Sequence, residues 1–369
     1  MKQNSNELSL VIGGKRIYGW DSIRVTRGIE RLPSDFELML MDYYPGSSEK
    51  QLVEAGQSCQ VLLGDDPVIT GYIDIWNSSI NKSSHQIRVT GRSKCQDLVD
   101  CSAKWPQNVI TSATALQIAQ KLAQWYGIKV SSDVTDMKSV PQFTLNWGES
   151  SQEIIDRITR WSALLYYDTP DGNLFLTRVS NQLAASGVEQ GKNVEMADYQ
   201  SSMNERFSEY SGLSMNVSGL SELSQGQGYS VVEIATAKDP ETESMRYRNY
   251  VTIIESTLHS HQRQQESIDW EMNRRYGRAK VIKVLVDSWR DVSGTLWTPN
   301  TLIPIHLPVF GLESEQWLLS EVSYVRNKDD GTRAELTLMP PAAFTVQPYE
   351  FYSTLMETRD GGYVNNGSR

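Results

Sequence analysis

The residues best suited to acid–base or metal chemistry are few in this sequence, and they match no known catalytic motif. The four histidines are His85, His259, His261 and His306. His259 and His261 would share one side of a strand but would lie about 200° apart on a helix. We expect both to face solvent, with a metal site as the less favoured alternative. The chain contains no GxSxG, HExxH or P-loop sequence.

The cysteines and two loop-like segments add no chemistry of their own. Cys59, Cys95 and Cys101 are an odd number without CxxC spacing, so we expect reduced core residues rather than disulfides or a zinc site. The Gly-Gln-Gly segment at 226–228 lacks the third glycine, strand and helix of a dinucleotide motif. Residues 327–331 lack the spacing and terminal Glu of an EF-hand. The sequence therefore predicts no catalytic residue, no metal and no cofactor.

The charge balance argues against nucleic acid and membrane partners. With 35 basic and 45 acidic side chains the formal net charge is −10, which repels polyanions. The chain has neither a signal peptide nor the roughly 18 apolar residues of a spanning helix, so we expect a soluble protein made in the cytoplasm. The sequence also has one cluster of basic residues. Two explanations fit it equally well: the cluster contacts an acidic surface of a partner, or it is a helix end exposed to solvent. That cluster is Arg274, Arg275, Arg278, Lys280 and Lys283.

The aromatic residues favour a role in assembly. There are 10 Trp and 17 Tyr but only 7 Phe. Rings that carry a polar group suit surfaces that are wet before association and buried after it. With no catalytic motif in the chain, we expect these rings to serve subunit contacts.

The elements that would position these residues begin with a region of short strands. Residues 8–92 alternate between apolar and polar side chains in runs separated by Gly, Asp and Pro. This pattern is typical of an antiparallel barrel or sandwich. Residues 64–92 have the pattern of a long strand, a polar tip and a returning strand. The same pattern occurs at 312–338. An internal repeat and the chance likeness of two hairpins are equally good interpretations.

Between residues 102 and 180 the hydrophobic period changes from two to about 3.6. The first helix is predicted to begin behind a cap at Thr111 or Ser112. The second helix opens with the capping box of Ser150 and Glu153, and a hairpin follows it. We therefore expect a small α/β layer inserted among strands.

The remaining sequence alternates strands with one long helix. Residues 211–230 are rich in Ser, Gln and Gly and predict a loop. Residues 256–279 predict a polar helix whose narrow apolar stripe places it on a surface or between subunits. Strands are predicted at 231–235, 250–255, 281–287, 302–307, 317–327 and 333–338.

The segment that follows the first strand region resembles a known signature. Residues 89–103 read VTGRSKCQDLVDCSA. They are similar to the G-R-S and D-L-x-D-x-S-A pattern of Mu-like phage baseplate hub proteins, the late control protein D family. Further matches lie in family order at 153–178, 270–278, 289–300 and 336–344. The matching signature residues are Gly91, Arg92, Ser93, Asp97, Leu98, Asp100, Ser102, Trp270, Asn273, Arg274, Arg275, Gly277, Arg278, Trp297 and Asn300.

The resemblance implies a mainly β fold with an α/β insertion, an α+β class. Two similar antiparallel β-barrel domains and a small two-layer α/β domain would assemble as a ring. The implied domains are a first barrel at 1–101, the insertion at 102–180, a second barrel at 181–344 that includes the helix at 256–279, and a C-terminal arm at 345–369.

The resemblance also implies a structural function rather than an enzymatic one. The protein would be the homotrimeric hub of a contractile phage or prophage tail, joining the sixfold tail tube to the threefold central spike. Its partners would be itself, the tail tube protein, the central spike protein and other baseplate proteins, without nucleic acid recognition or stable membrane insertion. It would reside in the tail baseplate of the virion, and in the host cytoplasm during assembly. The related type VI secretion spike proteins carry hub and spike in one chain, so the spike is expected here as a separate polypeptide.

We expect the signature residues to act structurally. Gly91 would permit an unusual backbone turn, Arg92 would fork onto a carboxylate, and Asp97 and Asp100 would cap or pair. The alternative function is a tail-associated cell-wall hydrolase, which would need a carboxylate pair or a metal site.

The C-terminal arm is the expected contact with the spike. Aromatic residues on a short arm are costly to expose unless a partner covers them. The candidate contact residues are Tyr349, Phe351, Tyr352 and Leu355.

Overall fold

The short alternating runs at the start of the chain form seven strands. The structure, a computed structural model, describes residues 6–41, 53–82, 85–105, 109–137, 139–215, 231–253 and 261–345. Three predicted features lie wholly or partly outside the described residues: positions 216–230 of the loop predicted at 211–230, His259, and the C-terminal arm beyond residue 345. The strands are β1 (Leu8–Ile12), β2 (Lys15–Ile17), β3 (Ser22–Gly28), β4 (Asp35–Met41), β5 (Ser58–Leu63), β6 (Asp66–Ile80) and β7 (His85–Ser93).

In the described residues, the predicted insertion at 102–180 contains two helices and five short strands, and a short helix precedes it. The elements are, in chain order, α1 (Gln96–Asp100), β8 (Val109–Thr114), α2 (Ala115–Ala123), β9 (Val130–Ser132), β10 (Ser139–Thr144), α3 (Ser151–Trp161), β11 (Leu165–Asp168) and β12 (Leu174–Thr177). The capping box of Ser150 and Glu153 is confirmed. The cap predicted for α2 is wrong: Thr114 caps this helix, because the residues before it pair as β8 with β10.

The remaining described residues add nine strands and one long helix. These are β13 (Val188–Glu189), β14 (Val194–Ser201), β15 (Glu209–Met215), β16 (Val231–Lys238), β17 (Asn249–Ile253), α4 (His261–Arg278), β18 (Lys280–Val286), β19 (Leu302–Leu307), β20 (Leu312–Asn327) and β21 (Gly331–Met339). The loop prediction is wrong at its start, because residues 211–215 belong to β15, which pairs with both β16 and β17.

The described residues group into two compact units. The larger contains those of 1–198 and 283–338, and the smaller contains those of 199–282 and 339–345. Thirteen strands form one large sheet in the order β14-β18-β21-β20-β3-β4-β7-β6-β5-β1-β2, with β19 paired to β20 and β13 to β19. The mainly β class is confirmed as this largely antiparallel sheet with small mixed sheets beside it.

The two halves of the large sheet repeat one strand order. The order β3-β4-β7-β6-β5-β1 in the first half matches β14-β18-β21-β20-β19-β13 in the second, except that β1 runs antiparallel to β5 and β13 runs parallel to β19. The pairing of β5 with β6 and that of β19 with β20 also share their register, including a shift at the same place. The matching pairs are Ser58/Tyr72 and Leu302/Leu318, Cys59/Gly71 and Ile303/Trp317, Gln60/Thr70 and Pro304/Gln316, Val61/Ile69 and Ile305/Glu315, and Leu63/Asp66 and Leu307/Leu312.

A left-handed residue precedes the first strand of each repeated pair. Gly56 has φ 84° and Asn300 has φ 62°, a conformation open to Gly and tolerated by Asn. The N–H of Gly56 donates to the carbonyl of Ile73 at 2.7 Å, and that of Asn300 donates to Leu319 at 2.9 Å. The two hairpins are therefore similar in backbone geometry as well as in sequence pattern.

The insertion has its own core. β9, β11 and β12 form a three-stranded sheet, and β8 pairs with β10. Ile118 and Leu122 of α2 and Ile154 and Ile158 of α3 are fully buried in one cluster. Leu98 of α1 joins the same cluster, so the short helix that follows β7 is anchored in the inserted layer.

The smaller unit is built on α4. This helix packs against the sheet β16-β15-β17, with Ile268 buried beside Tyr210, Ala235 and Ala237. Met272, one turn after Ile268, packs against the same cluster, which agrees with the narrow apolar stripe predicted for this helix.

Candidate functional site

Arg92 in β7 forms the centre of the first group of signature residues. Its Nε lies 2.6 Å from Oδ2 of Asp74, and its Nη2 lies 2.7 Å from Oδ2 of Asp100. The hydrogen bonds to Asp100 and Asp74 raise the pKa of the Arg92 guanidinium. Arg92 thus joins β6 to the last residue of α1, where the sheet passes into the insertion.

The neighbouring aspartate has a different environment. Asp97 lies in the first turn of α1, and burial, followed by the nearby charge of Asp100, raises the pKa of its carboxyl group. The N-cap position is occupied by Cys95, which makes no side-chain cap. Asp97 therefore does not take the capping role that was one of its two expected roles.

Gly91 is a glycine for a reason other than the one expected. It lies within β7 and does not have a positive φ, so the expected unusual turn is wrong. A Cβ at this position would lie 2.3 Å from the carbonyl oxygen of Tyr72 and 2.5 Å from Cζ of Phe36. The residue must be glycine because an aromatic ring and a neighbouring strand approach its Cα directly.

The other residues of this first group fasten the insertion to the sheet. Ser93 is buried, and its N–H donates to the carbonyl of Ser34 at 2.9 Å. Ser34 in turn donates through its hydroxyl to Oδ1 of the buried Asp168 at 2.8 Å. Ser102 donates to the carbonyl of Gly148 at 3.2 Å. These contacts hold β4 and β7 against the β11–β12 hairpin and the loop before α3.

The second group lies on α4 in the smaller unit. The indole N–H of Trp270 donates to the carbonyl of Thr345 at 2.7 Å, and the guanidinium of Arg274 lies 5.4 Å from the Trp270 ring. A Cβ on Gly277 would lie 2.3 Å from the backbone nitrogen of Ala343. The half-buried Asn273 and Arg278 lie on the same helix, and Arg278 stacks over Phe344 at 5.9 Å.

These contacts seat the short 3-10 turn Pro341–Phe344 on α4. Two members of the basic cluster, Arg275 and Lys280, form ion pairs within the smaller unit. Arg275 pairs with Glu271 at 2.6 Å and with Glu205 at 2.7 Å. Lys280 pairs with Glu241 at 2.9 Å.

The third group lies before β19. Trp297 is buried, and its indole N–H donates to the carbonyl of Ser288 at 3.1 Å. Asn300 accepts from the N–H of Ser180 at 2.9 Å and donates to the carbonyl of Arg178 at 3.0 Å. Asn300 therefore ties the end of the insertion to the second half of the sheet.

One buried ionic cluster had no signal in the sequence. Arg206 is 2% exposed, and its Nη2 lies 2.5 Å from Oδ1 of the fully buried Asp239. The same guanidinium contacts Glu241 at 3.0 Å. The hydrogen bond from Lys280, followed by that from Arg206, lowers the pKa of Glu241 to about 2.

The candidate chemical residues are dispersed. His85 Nε2 lies 2.7 Å from the hydroxyl of Ser78, and His306 Nδ1 lies 2.8 Å from the carbonyl oxygen of Glu313. Burial raises the pKa of the Cys59 thiol to about 12 and also raises that of Cys95. Within the described ranges, no three His, Cys, Asp or Glu residues are grouped to hold a metal ion. Across those same ranges, no helix is both long and apolar enough to cross a bilayer.

The candidate spike-contact residues lie in the arm, outside the described residues. The three signature groups are structural ties, the first and third in the larger unit and the second in the smaller one. Within each unit they bring helix ends, loops and strands together.

Comparison with protein families gives three matches along the chain. Residues 7–93 match the N-terminal domain of the Mu phage baseplate assembly protein GpP-like family. Residues 95–178 match the second domain of the baseplate hub protein gp44-like family, and residues 260–347 match the fourth domain of the GpP family.

Individual relatives extend over nearly the whole chain. The chain is 30% identical to the baseplate hub protein gp44 of Escherichia phage Mu, covering 98% of this chain and 94% of that protein. The crystal structure of the 43 kDa tail protein of prophage MuSo2 from Shewanella oneidensis is similar with a TM-score of 0.80 and 28% identity. That match covers 94% of this chain and all of the other.

A more distant structure shares the fold alone. An E. coli component of the type VI secretion system aligns with a TM-score of 0.56 at 10% identity, over 92% of this chain and 79% of the other.

Proposed function

Because the chain belongs to the family of Mu-like phage baseplate hub proteins, we propose that it forms a homotrimeric ring joining a sixfold tail tube to a threefold central spike. The family consists of structural tail components rather than enzymes. The family comparison therefore favours the structural role over the alternative of a cell-wall hydrolase.

The observation that carries this proposal is the repeat within the large sheet. Two halves of one chain share a strand order and the register of corresponding pairs. Three chains with two similar halves each supply six similar units around a threefold axis. A ring of that kind matches a sixfold partner on one side and a threefold partner on the other.

We propose that each half closes into a β-barrel within that ring. The proposed domains are those implied by the signature, with boundaries near residues 101, 180 and 344. In this proposal the α/β insertion lies outside the ring, where α1 and the Arg92 ion pairs fix its base. The tail tube protein, the central spike protein and other baseplate proteins are the proposed partners in the virion.

The C-terminal arm is proposed to contact the spike. Its polar-tipped and apolar side chains, Tyr349, Phe351, Tyr352 and Leu355, follow directly after Thr345. The backbone of Thr345 is held by Trp270 at 2.7 Å, so the arm starts from a fixed point on α4. A short aromatic arm that starts from a fixed point suits the capture of a separate protein.

The mass of the purified protein in solution tests the ring. Size-exclusion chromatography with light scattering at micromolar concentration should give three times the 41.7 kDa chain mass. Electron microscopy of the same sample should show rings with six similar lobes. A monomer, or a dimer without rings, would contradict the proposal.

A further inference from the structure

The junction between the two halves of the sheet is a strand pair within the chain. β3 pairs antiparallel with the second part of β20, from Glu321 opposite Gly28 to Arg326 opposite Ile23. The side chains at this junction are buried: Val25, Val322 and Tyr324 are all fully inaccessible. The first part of the same β20 edge pairs with β19 instead.

The repeated register identifies the counterparts of these two strands. β6 is the counterpart of β20, and Ile75 to Ile80 correspond to Glu321 to Arg326. β14 is the counterpart of β3, because each is the outer neighbour of the next strand in the matched order. In the first half, therefore, the site equivalent to the buried junction is the β6 edge beyond Ile73.

Among the described residues, this edge of β6 and the outer edge of β14 carry no paired strand, and β14 has only an isolated bridge from its first residue, Val194, to Gln190. β5 covers β6 only from Asp66 to Tyr72, and β14 stands at the end of the sheet order. Ser78, the counterpart of the buried Tyr324, is exposed, and so are several apolar side chains on these two strands. Ile75 is 58%, Ile80 81% and Met196 64% exposed.

The hydrogen-bonding groups of the β6 edge follow from the same register. The carbonyl of Ser320 accepts from the N–H of Ile29 at 2.9 Å. Because backbone groups alternate between the two edges of a strand, Val322, Tyr324 and Arg326 also face β3. Their counterparts in β6 are Trp76, Ser78 and Ile80, whose N–H and C=O groups therefore face the open edge.

We infer that β14 of one copy of this chain pairs antiparallel with residues 75–80 of β6 in the next copy. The occupant is a second copy because the chain already contains the same junction, formed by the counterpart strands β3 and β20. Three such contacts, made head to tail, close a ring in which junctions within and between chains alternate. This inference rests on the proposed trimer and names the surface that forms it. Open strand edges with exposed apolar side chains are otherwise sites of uncontrolled pairing.

A proline on the open edge tests the inference. Ser78→Pro removes one outward N–H and leaves the ladder with β7 intact, a position at which edge strands tolerate proline. Ser78→Ala is the matched control, because it also removes the hydroxyl that contacts His85 but keeps the N–H. We expect the mass of Ser78→Pro to fall threefold, to one chain, while Ser78→Ala stays trimeric. Circular dichroism should show native β content for both.

Cross-linking gives a second test that does not depend on a proline. The half-exposed Cys101 is replaced by serine, leaving Cys59 and Cys95, which are buried. Chains with Ile80→Cys are mixed with chains carrying Met196→Cys and treated with a short bismaleimide. We expect a two-chain product. A mixture of Ile80→Cys with Val292→Cys, where Val292 is 83% exposed and lies outside both strands, should give none.

The outcomes separate the inference from the proposed function. A wild-type protein that is monomeric would overturn both. A trimeric wild type whose Ser78→Pro variant stays trimeric, with no product from the Ile80 and Met196 pair, would overturn the strand pairing and leave the ring standing. If Ser78→Pro does not fold, the cross-linking result alone decides.

Discussion

Replacing Gly91 with alanine would place a methyl group where the structure has no room for one. The added Cβ would lie 2.3 Å from the Tyr72 carbonyl oxygen and 2.5 Å from Cζ of Phe36. The carbonyl belongs to the backbone of β6, the strand beside Gly91 in the sheet, and the ring is 1% exposed. Neither neighbour can move without displacing a strand or part of the core.

The expected cost follows from this geometry. Adding a methyl group to a packed core costs about 1–3 kcal/mol. Contacts below 3 Å with two different residues place Gly91→Ala at about 2–3 kcal/mol. A loss of that size lowers the melting temperature by about 4–12 °C in a domain of this size. Differential scanning calorimetry and urea unfolding should both report it. Thr90→Ala, one residue away on β7, is the control without such a clash.

A double variant separates the two contacts. Phe36→Leu shortens the side chain beneath Gly91 and should by itself cost about 1 kcal/mol. Combined with Gly91→Ala it relieves the ring contact but not the carbonyl contact. We expect the double variant to be more stable than the sum of the single effects predicts, by about 1 kcal/mol. Additive effects, or a Gly91→Ala variant within about 0.5 kcal/mol of wild type, would refute the close-approach explanation of the signature glycine.

Three further predictions concern the smaller unit and the arm. Asp239→Ala leaves the 2% exposed Arg206 without its main partner, and urea unfolding should show a loss of about 3–5 kcal/mol; a loss under 1 kcal/mol would contradict this. The pKa of Glu241 is lowered from 4.5 to about 2, so the stability that its ionised carboxylate contributes is complete above pH 4.5 and is lost as the pH falls through 2. This contribution is small, because the side chain is 43% exposed. Melting temperatures between pH 5 and 2 should therefore fall less steeply in Glu241→Gln than in wild type, and identical slopes would argue against it. A chain ending at Thr345 should remain trimeric with a nearly unchanged melting temperature and lose affinity for the separate spike protein, whereas unfolding would place the arm in the core and intact spike binding would place the contact elsewhere.

Local signals predicted the elements that depend on local chemistry. The capping box of Ser150 and Glu153 located the start of α3, because both partners lie within one turn. The same reasoning placed the α2 cap too early, because Val109–Thr114 forms a strand through pairing with β10, a partner that lies beyond the helix. The start of the predicted loop at residue 211 failed for a similar reason, since β15 is stabilised by strands on both of its edges.

The contacts of the signature residues could be predicted only where charge required a partner. Arg92 was expected to fork onto a carboxylate, but the two that it contacts, Asp74 and Asp100, come from different elements. The need for glycine at position 91 arises from a ring 55 residues earlier in the chain, which no local pattern reveals. Arg206 and Asp239 are likewise separated by 33 residues and share no motif.

The pairing of β3 with β20 also determines when the large sheet can be completed during synthesis. Thr26 and Ser323, whose hydroxyls meet at 2.8 Å across this pair, are 297 residues apart in the chain. At translation rates of about 5–20 residues per second, roughly 15–60 s pass between the synthesis of β3 and that of β20. Over that interval the first half of the sheet presents an incomplete edge to the nascent chains of neighbouring ribosomes. Pairing of β3 with a β20 segment from another nascent chain would yield exchanged dimers, so expression at high polysome density should increase their share over synthesis at low density.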